Sequence, residues 1–110
     1  MTVKEAISLY NLEPLSLPDP DREIRGGYCG DLLSWVMTRL QPDEVWVTIM
    51  NNINVIAVAA LADAACVILS ENAEVDEAVI AKAKEQGVNL LRSASPSFEI
   101  CFSLGRACYG

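Results

Sequence analysis

Four cysteines are the side chains best suited to chemistry in this chain of 110 residues, which contains no histidine. The thiols, none of which belongs to a Cys-x-x-Cys pair, are those of Cys29, Cys66, Cys101 and Cys108. A zinc or iron–sulfur site would therefore need ligands from three distant segments. Cys66 lies in an apolar run typical of a buried strand. Cys101 and Cys108 lie about two turns apart on one predicted helix, too far for a direct disulfide. We expect reduced, unliganded thiols, no metal and no other cofactor.

Without histidine the chain lacks Ser-His-Asp and Cys-His catalytic groups. Cys29 precedes a predicted helix N-terminus, a position that can lower the pKa of a thiol. Asp31 and Glu71 could serve as an acid/base pair, but they lie on different loops and no pattern brings them together. We therefore expect a non-catalytic protein. A thiol-dependent enzyme is the less favoured alternative.

Polar side chains follow several predicted strands and form a candidate ligand rim. Its residues are Asn51, Asn52, Asn54, Ser70 and Ser93. If the strands are parallel, their carboxyl ends share one edge of the sheet, where ligands usually bind. The loops at this edge contain no Lys or Arg, so they suit a small polar ligand or a nucleoside better than a polyphosphate. The alternative is that these side chains are ordinary helix caps and turn residues.

Composition excludes several classes of partner. Eight basic residues against fifteen acidic residues give a net charge of −7, which disfavours binding to nucleic acid and to anionic membranes. No apolar run approaches the length of about 18 residues that a membrane-spanning helix needs. The glycine-rich run 26–30 lacks the spacing of a dinucleotide-binding loop. We expect a soluble, cytoplasmic protein.

Hydrophobic patterning predicts alternating strands and helices. A capping box at Thr2 and Glu5 begins a first helix that ends near Tyr10. Three prolines then indicate a connector over residues 11–21. The predicted strands are 22–28, 44–50, 66–69 and 88–91, and the further predicted helices are 31–40, 53–63, 76–86 and 96–107.

This order predicts an α/β fold with a largely parallel sheet of about four strands and helices on its faces. The length suits one domain over residues 1–110. Within it, residues 1–21 are expected to form the N-terminal helix and proline-rich connector, and residues 22–110 the α/β core.

Two helices indicate a homodimer. The helix 53–63 is apolar on every side, so it either lies centrally in the cover of the sheet or is covered by a partner. In the helix 31–40, Trp35 lies opposite the apolar stripe, on a polar flank that could belong to a partner surface. The residues of that stripe are Leu32, Leu33, Val36, Met37 and Leu40.

Over nearly its whole length the chain resembles stand-alone DRTGG-domain proteins. The run Asp21-Arg22 followed by Gly26-Gly27-Tyr28 and then Asp31 resembles the motif that names the family. Runs 46–49, 54–58 and 97–99 resemble its central strand, the following helix and the start of its C-terminal helix.

This sequence departs from the family pattern at several positions. Arg25 replaces a threonine, and Asn52 stands where many small relatives have histidine. The run 51–53 replaces a Gly-Asp-Arg run that fused members carry, and Ser70-Glu71-Asn72 replaces a Thr-Gly-Gly-like turn.

The resemblance implies a fold similar to the N-terminal domain of HPr kinase/phosphorylase. It also implies a regulatory or dimerising role, as in family members fused to CBS modules of pyrophosphatases or to phosphotransacetylases. Stand-alone bacterial members are sometimes encoded beside hydrogenase-type proteins. The function that it implies is a regulatory or dimerisation domain that senses a small polar ligand or nucleotide. The alternative is an accessory partner of a larger redox complex.

Overall fold

Five strands form one sheet in the computed structural model, which describes residues 1–110. The strands are β1 (Glu13–Ser16), β2 (Gly26–Cys29), β3 (Glu44–Thr48), β4 (Cys66–Leu69) and β5 (Leu90–Arg92). The helices are α1 (Val3–Tyr10), α2 (Leu33–Arg39), α3 (Ile53–Ala62), α4 (Glu77–Gln86) and α5 (Ser97–Tyr109). The strand order is β1-β5-β4-β3-β2, and only β1 is antiparallel to its neighbour. The predicted α/β fold with a largely parallel sheet is confirmed.

Helices cover both faces of the sheet because its central strands are apolar on both sides. In β4, Val67 and Leu69 pack in the core formed with α2, α3 and α4. The alternate residues Cys66 and Ile68 pack in a second core formed with α1 and α5. All four side chains are buried, as expected for a central parallel strand.

The segment after α1 is more than a connector, and in this respect the prediction was wrong. Pro14 in β1 pairs with Leu91 of β5, so this segment adds an antiparallel edge strand to the predicted four. A proline is accepted there because the outer side of an edge strand has no ladder hydrogen bonds to lose. Ser16 is buried, and its hydroxyl donates to the carbonyl of Val88 at 3.1 Å.

Helix α2 is shorter than predicted, and part of the predicted apolar stripe is exposed. Asp31 does not begin the helix, because its carboxylate accepts hydrogen bonds from the Thr48 hydroxyl and from the backbone N–H of Ile49. Val36 and Leu40 are buried as predicted, whereas Leu32 and Met37 are more than half exposed. Only part of the apolar stripe therefore packs into the core.

Helix α3 packs between α2 and α4, which explains most of its apolar character. Its side chains Val55, Ile56, Val58 and Ala59 are buried. Apart from Asn54, its outward positions are apolar too, and Leu61 is 77% exposed. No helix in the structure is long and apolar enough to cross a membrane.

Candidate functional site

The candidate ligand rim lies where three parallel strands end side by side. The backbone N–H of Ser70, just after β4, donates to the carbonyl of Thr48 at the end of β3. The N–H of Ser93, just after β5, donates to the carbonyl of Leu69 at the end of β4. Asn51 follows β3 at the same edge. Helices α3, α4 and α5 each follow a strand that ends here, so their first turns lie at this edge as well.

Serine side chains form the interior part of the rim. Ser70 is fully buried, and its hydroxyl lies 2.6 Å from the hydroxyl of Ser97 in the first turn of α5. Ser93 is also buried, and its hydroxyl accepts the backbone N–H of Ser95 at 3.1 Å. The Ser70 and Ser97 hydroxyls pair with each other and the Ser93 hydroxyl pairs with a backbone N–H, so a ligand at this position would have to replace existing hydrogen bonds.

The turn after β4 has an unusual backbone. Glu71 and Asn72 have φ values of 60° and 52°, in the left-handed region that glycine enters most easily. Their N–H groups donate to the carbonyls of Ser95 and Ser93 at 3.0 Å and 2.8 Å, which holds the turn against the loop before α5. Two left-handed residues therefore form this turn, at the positions where the family resemblance implies a Thr-Gly-Gly-like turn. Sequence reasoning did not predict this conformation, although the family's glycines were the available signal.

The asparagines form a separate, exposed part of the rim. The side-chain amide of Asn51 donates to the carbonyl of Glu74 at 2.6 Å, and the Asn52 side chain caps α3 by accepting the N–H of Asn54 at 3.0 Å. Asn51 and Asn52 line a cavity of about 340 Å³ together with Glu74 and Asp76. Asn54 contributes only its backbone to these contacts. The rim is therefore divided between a buried serine cluster and an open asparagine cavity.

The rim carries negative charge without a free positive charge. Glu71, Glu74 and Asp76 are exposed at this edge. Arg92 is the nearby cation, but its guanidinium forms two hydrogen bonds with Glu13 and one with the carbonyl of Ala73. Hydrogen bonding to Glu13 raises the pKa of Arg92, so this pair stays ionised. The rim therefore offers hydroxyl, amide and carboxylate groups, and no cation to bind phosphate.

The structure does not bring the proposed acid/base pair together. Asp31 follows β2 and Glu71 follows β4, and β3 lies between these two strands. Because neighbouring strands are about 5 Å apart, the two residues follow strands that are about 10 Å apart. The Asp31 carboxylate already accepts the Thr48 hydroxyl at 2.7 Å.

The residues quoted for the family motif before β2 lie at the opposite edge of the sheet. Arg22 donates to Asp43 at 2.9 Å and to the carbonyl of Asp63 at 2.7 Å, linking the turns before β3 and β4. Asp21 is exposed and lies 3.4 Å from the ammonium group of Lys4. These contacts stabilise the fold and do not contribute to the rim.

Gly26 and Gly27 allow α5 to approach β2 closely. A Cβ atom at Gly26 would lie 2.5 Å from the Tyr109 hydroxyl, and the N–H of Gly27 donates to that hydroxyl at 3.2 Å. Tyr28 points the other way, into the core with α2 and α3. A Cβ atom at Gly27 would lie 2.9 Å from a methyl group of Val45 on β3, so the glycine pair leaves room for Tyr109 on one side and for the neighbouring strand on the other.

Three of the four thiols share one cavity, which sequence reasoning did not predict. Cys29, Cys101 and Cys108 line a space of about 220 Å³ between β2 and α5. Cys66 is fully buried elsewhere, as predicted, and burial raises the pKa of its thiol to about 12. No group of three or more His, Cys, Asp or Glu side chains is arranged to hold a metal ion.

The model of the DRTGG domain family matches residues 29–107, which is most of the chain. The chain belongs to the DRTGG domain family. Of the motif residues quoted above, Asp31 lies within the matched range, whereas Asp21, Arg22, Gly26, Gly27 and Tyr28 precede it. The turn 70–72 lies inside the range. No curated protein matches this DRTGG domain.

A solved structure has a similar fold. It contains the CBS and DRTGG domains of the regulatory region of Clostridium perfringens pyrophosphatase, complexed with the activator diadenosine tetraphosphate. The two chains are 8% identical, with a TM-score of 0.71. The similarity covers 90% of this DRTGG domain and 44% of the pyrophosphatase chain. At this identity, the comparison establishes the common fold alone.

Proposed function

We propose that this DRTGG domain is a non-catalytic regulatory module that binds a small polar ligand at the carboxyl edge of its sheet. The fold is shared with a regulatory region that is complexed with a dinucleotide activator. The proposal includes a cytoplasmic location, where reducing conditions keep thiols free. We also propose that its fold is similar to that of the N-terminal domain of HPr kinase/phosphorylase, and superposition of the two structures would test this similarity.

The observation that carries this proposal is the turn at the end of β4. Glu71 and Asn72 have positive φ values there, directly after the buried hydroxyl of Ser70. Backbone strain of this kind is concentrated at ligand sites, where the surrounding structure holds it in place. The turn is fixed by hydrogen bonds to the loop before α5, so it presents a preformed surface.

The charge of the rim selects the ligand class. Several carboxylates and no free cation disfavour a ligand with many phosphate groups. The side chains of Asn51 and Asn52 line the open cavity and match the base amino group of a nucleoside, and a ribose hydroxyl could replace the hydrogen bond between Ser70 and Ser97. We therefore propose a nucleoside, or the nucleoside portion of a larger ligand.

Thermal unfolding in the presence of adenosine, AMP, ATP and diadenosine tetraphosphate tests the proposal. At equal concentrations of the four compounds we expect adenosine to stabilise the protein most, and at one hundred times its Kd the stabilisation should be about 2.7 kcal/mol. Ser70→Ala should weaken this stabilisation. Ser16→Ala is the matched control because Ser16 is another buried serine with one hydrogen bond, near the opposite edge.

Two outcomes contradict the proposal. One is the absence of stabilisation by all four compounds. The other is an equal loss of affinity in Ser70→Ala and Ser16→Ala, which would indicate a general effect of stability and not a contact at the rim.

We further propose that the domain forms a homodimer through the face that carries α2 and α3. Trp35 is 56% exposed, with the Arg39 guanidinium 3.9 Å from the centre of its ring, and Leu61 is 77% exposed. Exposed large apolar side chains of this kind are typical of partner surfaces. Val58 is buried, so a charged residue there would test folding and not association.

A further inference from the structure

The cavity between β2 and α5 brings together thiols that are far apart in the sequence. Cys29 is the last residue of β2, and its Cα is the register partner of Val47 on β3. Val47 packs in the core with α1 and α5. Because parallel neighbours in register point to the same face of a sheet, the Cys29 side chain faces α5.

The direction of α5 places Cys101 beside Cys29. The Tyr109 hydroxyl accepts the N–H of Gly27 near the start of β2, so α5 runs antiparallel to this strand. Cys101 lies about two turns before Tyr109 and is therefore beside the end of β2, where Cys29 is. Cys108 lies about 10 Å further along the helix, beside the glycine pair.

The two neighbouring thiols have different surroundings. Cys29 is exposed, whereas Cys101 is partly buried. Burial, and after it the neighbouring Cys29 thiol, raises the pKa of Cys101 to about 12. Cys29 is therefore the thiol that meets a reagent from solution, and Cys101 is the thiol placed to react with it afterwards.

We propose that Cys29 and Cys101 form a redox-active dithiol, which a low-molecular-weight disulfide such as oxidised glutathione converts into an intramolecular disulfide linking β2 to α5. The Cys29 thiolate attacks one sulfur of the glutathione disulfide, and one glutathione thiolate leaves. Cys101 then loses its proton to this thiolate, and its sulfur attacks the Cys29 sulfur, which releases the second glutathione. In total the protein loses two protons and two electrons, and glutathione disulfide gains them to give two molecules of reduced glutathione.

This dithiol is independent of the proposed ligand. It requires only the contact between the end of β2 and the first half of α5, and neither cysteine lines the asparagine cavity. Cys108 is excluded as the partner of Cys29 by its distance along the helix, and Cys66 by its burial in the central strand.

Incubation of the folded chain with mixtures of reduced and oxidised glutathione tests the proposal. The free thiols are then alkylated and the chain is digested. Mass spectrometry should detect two peptides joined through Cys29 and Cys101, with a mass two hydrogens below the sum of the two reduced peptides. We expect the equilibrium constant for this disulfide to be at least about tenfold higher in the folded chain than in the chain unfolded by urea. Cys108→Ser should form the same disulfide, whereas Cys29→Ser and Cys101→Ser should not.

Three results would overturn it. The first is a stable glutathione adduct on Cys29 without a cross-link, and the second is a cross-link that involves Cys108. The third is equal disulfide formation in the folded and urea-unfolded chains. Mapping the cross-link in the wild-type chain keeps the test valid if a serine variant does not fold.

Discussion

Asn89 and Asp19 exchange two hydrogen bonds. The backbone N–H of Asp19 donates to Asn89 Oδ1 at 3.0 Å, and Asn89 Nδ2 donates to the carbonyl of Asp19 at 2.7 Å. The same side chain donates to the carbonyl of Ala65 at 3.0 Å, and Asn89 is almost completely buried. One side chain thus joins the proline-rich segment after β1 to the start of β4.

Asn89→Leu should destabilise the protein strongly because it removes three buried or partly buried hydrogen bonds to the backbone. We expect the free energy of unfolding to fall by about 2–4 kcal/mol, measured by urea denaturation. Asn54→Leu is the control because the Asn54 side chain is exposed and forms no hydrogen bond. A loss at Asn89 no larger than that at Asn54 would show that the three hydrogen bonds contribute little.

Glu71→Gly should stabilise the protein. Glycine adopts a φ of 60° without the steric penalty that Glu71 incurs there, so we expect a gain of about 0.5–1 kcal/mol. Ala81→Gly, at an exposed position inside α4, should instead lower the free energy of unfolding by about 1 kcal/mol. Chemical denaturation distinguishes the two signs. A decrease at both positions would mean that Glu71 is not strained.

Leu61→Lys should convert a dimer into a folded monomer if the α2 and α3 face is the interface. Light scattering at micromolar concentration should change from twice the chain mass to the chain mass of 11.9 kDa. Phe98→Lys tests the other exposed apolar face, because Phe98 on α5 is 82% exposed. Dissociation by Phe98→Lys alone would place the interface on α5, and a monomeric wild-type chain would exclude the dimer.

The buried thiol of Cys66 should make the protein sensitive to alkali. Its pKa is raised from 9.0 to about 12 by burial, so above pH 9 the unfolded chain releases a proton that the folded chain retains. Its contribution to stability is complete below pH 9 and is lost as the pH rises toward 12, by up to about 1.4 kcal/mol per pH unit. Cys66→Ala should reduce this slope in urea titrations between pH 9 and 11. An unchanged slope would assign the alkaline loss to other groups.

The sequence predicted the elements whose signals are local. The β-branched runs of β3 and β4 and the capping box at Thr2 needed no information from distant residues, and both are present. Strand β1 was missed because its identity depends on pairing with Leu91, which no local pattern reveals. The start of α2 was misplaced because Asp31 binds Thr48 on a neighbouring strand.

The candidate site was predictable to a similar extent. Parallel strands required Asn51, Ser70 and Ser93 to share an edge, and the structure places them there. Its division into a buried and an open part depends on the contact between Ser70 and Ser97 across two loops. The proximity of Cys29 and Cys101 likewise depends on how α5 crosses the sheet, which the sequence does not encode locally.

Helix α5 is attached at both ends to the sheet beneath it. Its first turn meets the end of β4 through Ser97 and Ser70, and its last turn meets the start of β2 through Tyr109 and Gly27. A helix of 13 residues is a stiff rod of about 20 Å. A displacement of its first turn therefore tilts the whole helix. That tilt changes the distance between the Tyr109 hydroxyl and the backbone N–H of Gly27 at the other end. Ligand binding at the rim would then change the environment of the Tyr109 ring, although the ring does not contact the rim.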